Sequence, residues 1–181
     1  MALDSEWLEL AKVGVSALTP LVTGLVGVFI VRLGHRMEGA KQLHQELLKK
    51  RLDVYEEVAP QLNDIYCFFQ AIGHWAELRP DDIIKRKRSV DRILQVHRFL
   101  FGPPMWTAYQ TFELSHFDLY SRVGEAALMR LDMPYIRERL GDHFNTDWLP
   151  SVSSKVGDQA EQARNYKKLM DLLGEEVRGD Q

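Results

Sequence analysis

The densest group of charged side chains in this sequence is the run KRKRSVDR, from Lys85 to Arg92. Because an α-helix turns once in ~3.6 residues, Lys85, Arg88 and Arg92 would share one helical face. Such a stripe of ammonium and guanidinium groups suits phosphate groups. The predicted ligand-binding residues are Lys85, Arg86, Arg88 and Arg92. The alternatives are a solvated helix face and a patch that contacts anionic lipids.

A second patterned set lies in the stretch Val13 to Val31, which contains no charged residue. Its small and hydroxyl-bearing residues recur at spacings of three and four, as on one helical face: Ser16, Thr19, Thr23 and Gly27. In an oligomer, such a face can line a water-filled path and replace part of an ion's hydration. Alternatively, the small residues allow close helix packing and the hydroxyls bond their own backbone.

Two Arg–His pairs have a spacing that is similar to the one in HEPN ribonucleases: Arg92 with His97, and Arg137 with His143. In that family, the arginine stabilises phosphate charge and the histidine transfers a proton. Ile93 follows Arg92, where the family usually has a polar residue. The sequence has no metal-ligand spacing, phosphate loop or dinucleotide fingerprint. We therefore predict a protein that is not an enzyme and uses no cofactor or metal, with a membrane-anchored ribonuclease as an alternative.

The stretch Val13 to Val31 has nearly the length of a membrane span. A helix rises ~1.5 Å per residue, so about 20 apolar residues cross a hydrocarbon core of ~30 Å. The sequence predicts a transmembrane helix over 13–33, and the alternative is a fully buried core helix. Basic residues follow it, and such flanks stay on the cytoplasmic side: Arg32, Arg36, Lys41, Lys49, Lys50 and Arg51. We expect residues 1–12 to lie outside and the C-terminal part to be cytoplasmic.

The remaining residues show helical periodicity, and we predict an all-α fold. We predict a juxtamembrane helix over 34–60 and, at Pro60, a kink or the start of a new helix, because proline lacks an amide donor. Residues 61–181 should form a cytosolic helical bundle. Its later helices are expected at 81–100, with Val96 and His97 turned inward, and at 105–131, 135–140 and 158–177, with a loop over 142–157. The single cysteine, Cys67, lies in an apolar setting and should be buried. The net charge of −3 points to no particular partner.

The stretch KKRLDVYEEVAPQLNDIYCFFQAIGHWAEL, followed by DDIIKRKRSVDR, resembles a family of small bacterial membrane proteins. These proteins have one N-terminal span and a helical cytosolic domain, and they include effectors of anti-phage operons of the Hailong type. The resemblance implies an oligomeric ion channel in the inner membrane that single-stranded DNA oligomers hold shut. It also implies a nucleotidyltransferase partner that makes those oligomers.

Together these patterns predict a homo-oligomeric membrane effector, a tetramer or similar, that conducts ions. Its cytosolic domain would bind an anionic nucleotide or single-stranded DNA. The alternative from a different class is a membrane-tethered scaffold that binds a cytosolic partner and conducts nothing.

Overall fold

The structure is a computed structural model that describes residues 3–119, 126–141 and 144–179. The first helix, α1, runs over Leu3–Gln70. Its side chains are described at Phe29, Val31, Arg32 and Glu38, and from Lys41 onward. The chain divides into two compact units, Met1–Glu46 and Leu47–Gln181.

The first unit contains the stretch for which the sequence predicts a membrane span. Across the side chains that the structure describes, no helix combines the length and apolar character needed to cross a membrane. Most side chains of 13–31 fall outside the described set, and the predicted pore-lining residues are among them: Ser16, Thr19, Thr23 and Gly27.

The second unit is built mainly from helices, as the all-α prediction requires. The helices that follow α1 are α2 (Pro80–Val96), α3 (Pro103–His116), α4 (Met133–Leu140) and α5 (Gln159–Arg178). Short 3-10 helices cover Trp75–Glu77, Arg98–Leu100 and Thr146–Ser151. Two short antiparallel strands, β1 (Phe117–Asp118) and β2 (Leu128–Met129), pair Phe117 with Met129.

Local chemistry explains why α2 and α5 begin where the sequence predicts. Pro80 occupies the start of α2, where its missing amide donor costs nothing, and acidic residues fill the first turn. Asp158 caps α5, because its carboxylate accepts hydrogen bonds from the amides of Ala160 and Glu161 at 2.8 and 3.2 Å. Gly179 ends α5 in the left-handed conformation at φ 74°.

The prediction that a new helix starts at Pro60 and the prediction of a long third helix are wrong. α1 continues through Pro60, and the carbonyl of exposed Glu56, which loses its intrahelical donor there, can accept a hydrogen bond from water instead. The predicted helix over 105–131 ends at His116, because Phe117 adopts an extended conformation and pairs with Met129 in β2. Val96, predicted to face inward, is 65% exposed because α2 ends there.

One hydrophobic core joins α1, α2, α3 and α5. Its fully buried side chains include Leu62, Phe69, Ile83, Phe112 and Leu169. A smaller cluster around Ile136 anchors α4 against Ala71, at the end of α1. Four helices thus share one core, and the buried side chains of α2 attach it to the rest of the unit.

An ion pair ties the beginning of this unit to α5. Arg51 pairs with buried Glu176 at 3.0 Å, and its other nitrogens donate to the backbone carbonyls of Leu100 at 2.6 Å and of Glu176 at 2.9 Å. The Glu176 carboxylate also accepts a hydrogen bond from the amide of Gly102 at 2.6 Å. Three segments that are distant in sequence therefore meet at Arg51.

Arg51→Ala is expected to lower the free energy of unfolding by about 3–5 kcal/mol, because it leaves the Glu176 carboxylate buried without a counter-ion. Chemical unfolding of the purified chain measures the change. Lys50→Ala is the matched control, since Lys50 is exposed and only 3.9 Å from exposed Asp53. Equal losses in the two variants would contradict the role given to Arg51.

Candidate anion-binding site

The predicted basic stripe lies on the outer face of α2. Arg88 and Arg92 are exposed, and the side chain of Lys85 retains 75% of its accessible surface. Lys85 makes a loose contact with Asp82 at 3.7 Å. Within the described part of the chain, neither arginine forms an ion pair. Three cations therefore face solvent along one helical face, with little local neutralisation.

A pocket opens beside this stripe. Its volume is ≈ 220 Å³, and it adjoins α2, β2 and the 3-10 helix Thr146–Ser151. Lys85, Arg88 and Asp81 supply its charged wall, and Ser151 supplies a hydroxyl. The remaining lining side chains are mostly apolar: Ile84, Ala126, Ala127, Leu128 and Pro150. Pockets for drug-sized ligands run to about 300–1,000 Å³, so this one suits a single phosphorylated group.

Arg86 does not join that surface. Its Nε donates to Asp64 of α1 at 2.6 Å, and the same carboxylate contacts His74 Nε2 at 2.9 Å. The guanidinium is already neutralised by a carboxylate of the fold, so we assign Arg86 to holding α2 on α1. The structure thus brings together three of the four predicted ligand-binding residues.

A buried ion-pair network lies beneath the stripe, and the sequence analysis missed it. The Lys87 ammonium contacts Asp91 at 2.6 Å and Glu113 of α3 at 2.8 Å. Tyr109 donates its hydroxyl to Asp91. Lys87 is buried although it stands among exposed basic residues. Because it points inward, it fixes the rotation of α2 and turns Arg88 and Arg92 outward.

Burial and neighbouring charges have opposite effects on the pKa values of Lys87 and Glu113 in this network. Burial alone would lower the pKa of Lys87, but the hydrogen bonds that its ammonium donates to Asp91 and Glu113, and the charges of those carboxylates, outweigh burial and raise the pKa. Burial raises the pKa of Glu113 to about 7, although Lys87 opposes that rise. The pKa of Tyr109 is raised by burial and by the two carboxylates, so the phenol stays neutral. Lys87 is thus a permanent cation, while Glu113 takes up a proton near neutral pH.

The raised pKa of Glu113 makes stability depend on pH. The folded state binds the proton more tightly than the unfolded state, whose Glu113 has the ordinary pKa of 4.5. The stabilising contribution is therefore complete below pH 4.5 and is lost as the pH rises through about 7. Glu113→Gln cannot titrate. As the pH rises through that window, the free energy of unfolding of the native chain should therefore fall by up to about 3 kcal/mol relative to that of the variant. Urea unfolding at several pH values tests this, and a difference that is constant with pH would contradict it.

Within the described residues, no hydrogen bond or ring contact joins Arg92 to His97. His97 is half-buried at the end of α2, Arg92 is exposed, and His143 lies outside the described residues. His116, which the sequence analysis did not single out, is completely buried. Burial lowers its pKa to about 4, and its Nδ1 donates to the carbonyl of Phe112 at 2.8 Å. Neutral His116 is therefore part of the core.

Cys67 is buried, as predicted, and burial raises its thiol pKa, with a further rise from nearby Asp64. Such a thiol is a poor nucleophile. A second, open groove of ≈ 510 Å³ lies between α1 and α5, where Tyr66 and Tyr166 stack at 4.1 Å beside Arg164. Across the described residues, no group of three or more His, Cys, Asp or Glu side chains could hold a metal ion.

No protein-family model, curated protein or solved structure matches the chain. The features of the chain that bear on function are therefore the geometry of the α2 face and the sequence of 13–31.

Proposed function

We propose that this chain is the subunit of a homo-oligomeric ion channel, a tetramer or similar ring, in a bacterial inner membrane. The helix over 13–33 would cross the membrane once, with residues 1–12 outside and the compact unit in the cytoplasm. An anionic nucleotide or single-stranded DNA would bind the α2 face and bias the pore between closed and open. The role would be that of an effector in anti-phage defence, with a nucleotidyltransferase as the source of the ligand.

The observation that carries the ligand half of the proposal is the outward stripe of Lys85, Arg88 and Arg92 beside a pocket. Arg88 and Arg92, which form no ion pair within the described residues, attract phosphates, and a bound phosphate gains charge-assisted hydrogen bonds. The pocket provides a place for the group attached to that phosphate. A solvated helix face needs no such pocket, which favours binding over the plainer interpretation.

The membrane half rests on the uncharged run Val13 to Val31 and on the basic residues that follow it. One helix cannot enclose a pore, so conduction requires several copies. The hydroxyls of Ser16, Thr19 and Thr23 would then face the path. A ligand shifts the gate only by the difference between its affinities for the closed and open states.

Arg88→Glu is expected to weaken binding of a short single-stranded DNA by about 10–100-fold, because a charge-assisted hydrogen bond contributes about 1.5–3 kcal/mol. Fluorescence anisotropy of a labelled oligonucleotide measures the affinity at several salt concentrations. Loss of one phosphate contact should lower the salt dependence by about one unit of slope. Lys168→Glu, an exposed lysine on α5, is the matched control. Equal weakening by both variants would point to nonspecific attraction.

Purified chain in liposomes should pass ions, and single-stranded DNA added on the side of the compact unit should change the flux. Thr23→Val removes one hydroxyl at constant shape and is expected to reduce conductance. Leu25→Ile, on the opposite helical face, should leave it unchanged. Absence of flux with and without DNA would reject the pore and leave the membrane-tethered scaffold. Equal effects of the two substitutions would reject the assigned pore-lining face.

A further inference from the structure

The turn between α2 and α3 presents apolar side chains to solvent. Phe99 is 80% exposed and Val96 is 65% exposed. Arg98 lies between them in sequence and is exposed, with its guanidinium 4.9 Å from the centre of the Trp106 ring. We call Val96, Arg98 and Phe99 the α2–α3 tip. Single exposed apolar residues are common, but a nearly uncovered phenylalanine beside a valine is typical of a contact surface.

A complementary surface lies on α1. Leu52 is 41% exposed, and Glu56 lies one turn further along the same helical face. Glu57 is exposed beside Glu56, and Asp53 is the partner of Lys50. We call Leu52 and Glu56 the α1 acidic face. It combines an apolar side chain with a carboxylate, as the α2–α3 tip combines apolar side chains with a guanidinium.

The two surfaces lie at the same level along α1. Arg51 donates to the carbonyl of Leu100, next to Phe99, and Leu52 is the next residue of α1. Successive helical residues are rotated by ~100°, so Leu52 lies roughly at right angles to the side where Arg51 meets the turn. A rotation about an axis parallel to α1 keeps every residue at its level. The α2–α3 tip of one copy can therefore reach the α1 acidic face of a neighbour in a ring.

We propose that the α2–α3 tip docks on the α1 acidic face of the next copy, with Phe99 against Leu52 and Arg98 beside Glu56. The contact is head-to-tail, because it joins two different surfaces, and repetition of such a contact closes a ring. The inference rests on the proposed homo-oligomer and assigns it an interface. Arg92, on the candidate anion-binding face, takes no part in the contact.

Cross-linking between separately tagged chains tests the contact. Phe99→Cys and Leu52→Cys are placed on different full-length chains in a Cys67→Ala background, co-expressed in membranes and oxidised. Disulfides need Cα atoms within roughly 7 Å, so a cross-linked pair of the two tags is expected only where the surfaces touch. Neither single-cysteine chain should cross-link when it is expressed alone. The same pair with native Cys67 guards against a folding defect of the background, because that thiol is buried.

Val156→Cys with Leu52→Cys is the matched control. Val156 is 62% exposed but precedes Asp158 at the start of α5, roughly 27 Å along that helix from Glu176. It should give no cross-link. A dimer of Phe99→Cys chains alone would overturn the proposal in favour of a symmetric contact. Absence of the mixed pair would also overturn it and would assign the α2–α3 tip to lipid or another protein.

Charge reversal provides an independent readout. Arg98→Glu should lower the yield of the mixed cross-link, and Arg98→Glu combined with Glu56→Arg should restore it. An unchanged yield in Arg98→Glu would show that Arg98 and Glu56 do not pair across the contact. Cross-linking without ion flux would support this interface and reject the pore. Ion flux without cross-linking would support the pore and reject this interface.

Discussion

The buried ammonium of Lys87 is the constraint on which the candidate site depends. It bridges Asp91 on its own helix and Glu113 on α3, and a helix that must bury this position can adopt only one rotation. That rotation turns Lys85, Arg88 and Arg92 to solvent. Removing two carboxylates and a cation from water is costly, so the contacts must be complete for the network to be favourable. The geometry of the outer face is thus set by a polar contact in the interior.

Most of the fold follows from local sequence signals. The proline and acidic residues at the start of α2, and Asp158 before α5, are chemical signals that act within one turn, and both helices begin where those signals predict. The end of α3 is different, because Phe117 leaves the helix to pair with Met129, which lies beyond a local window. Apolar periodicity alone continues through His116 and cannot register such a pairing.

In the candidate site, too, some features follow from local sequence and others only from contacts between distant residues. The shared face of Lys85, Arg88 and Arg92 follows from helical periodicity, and the structure places all three outward. Lys87 and Arg86 are indistinguishable from these residues by composition. Their partners, Glu113 and Asp64, lie on other helices, so only the tertiary structure separates cations that stabilise the fold from cations that are free to bind a ligand.

The contact between Arg51 and Glu176 also has a consequence for biosynthesis. The two residues are separated by 125 positions. At about 5–20 residues per second, a ribosome needs roughly 6–25 s to add the second after the first. During that interval, the side of α1 that carries Arg51 and Tyr66 has no α5 to contact. The nascent chain therefore passes through a stage in which the Arg51 guanidinium and the Tyr66 ring are exposed to water, and their contacts with α5 can form only after most of the unit has been synthesised.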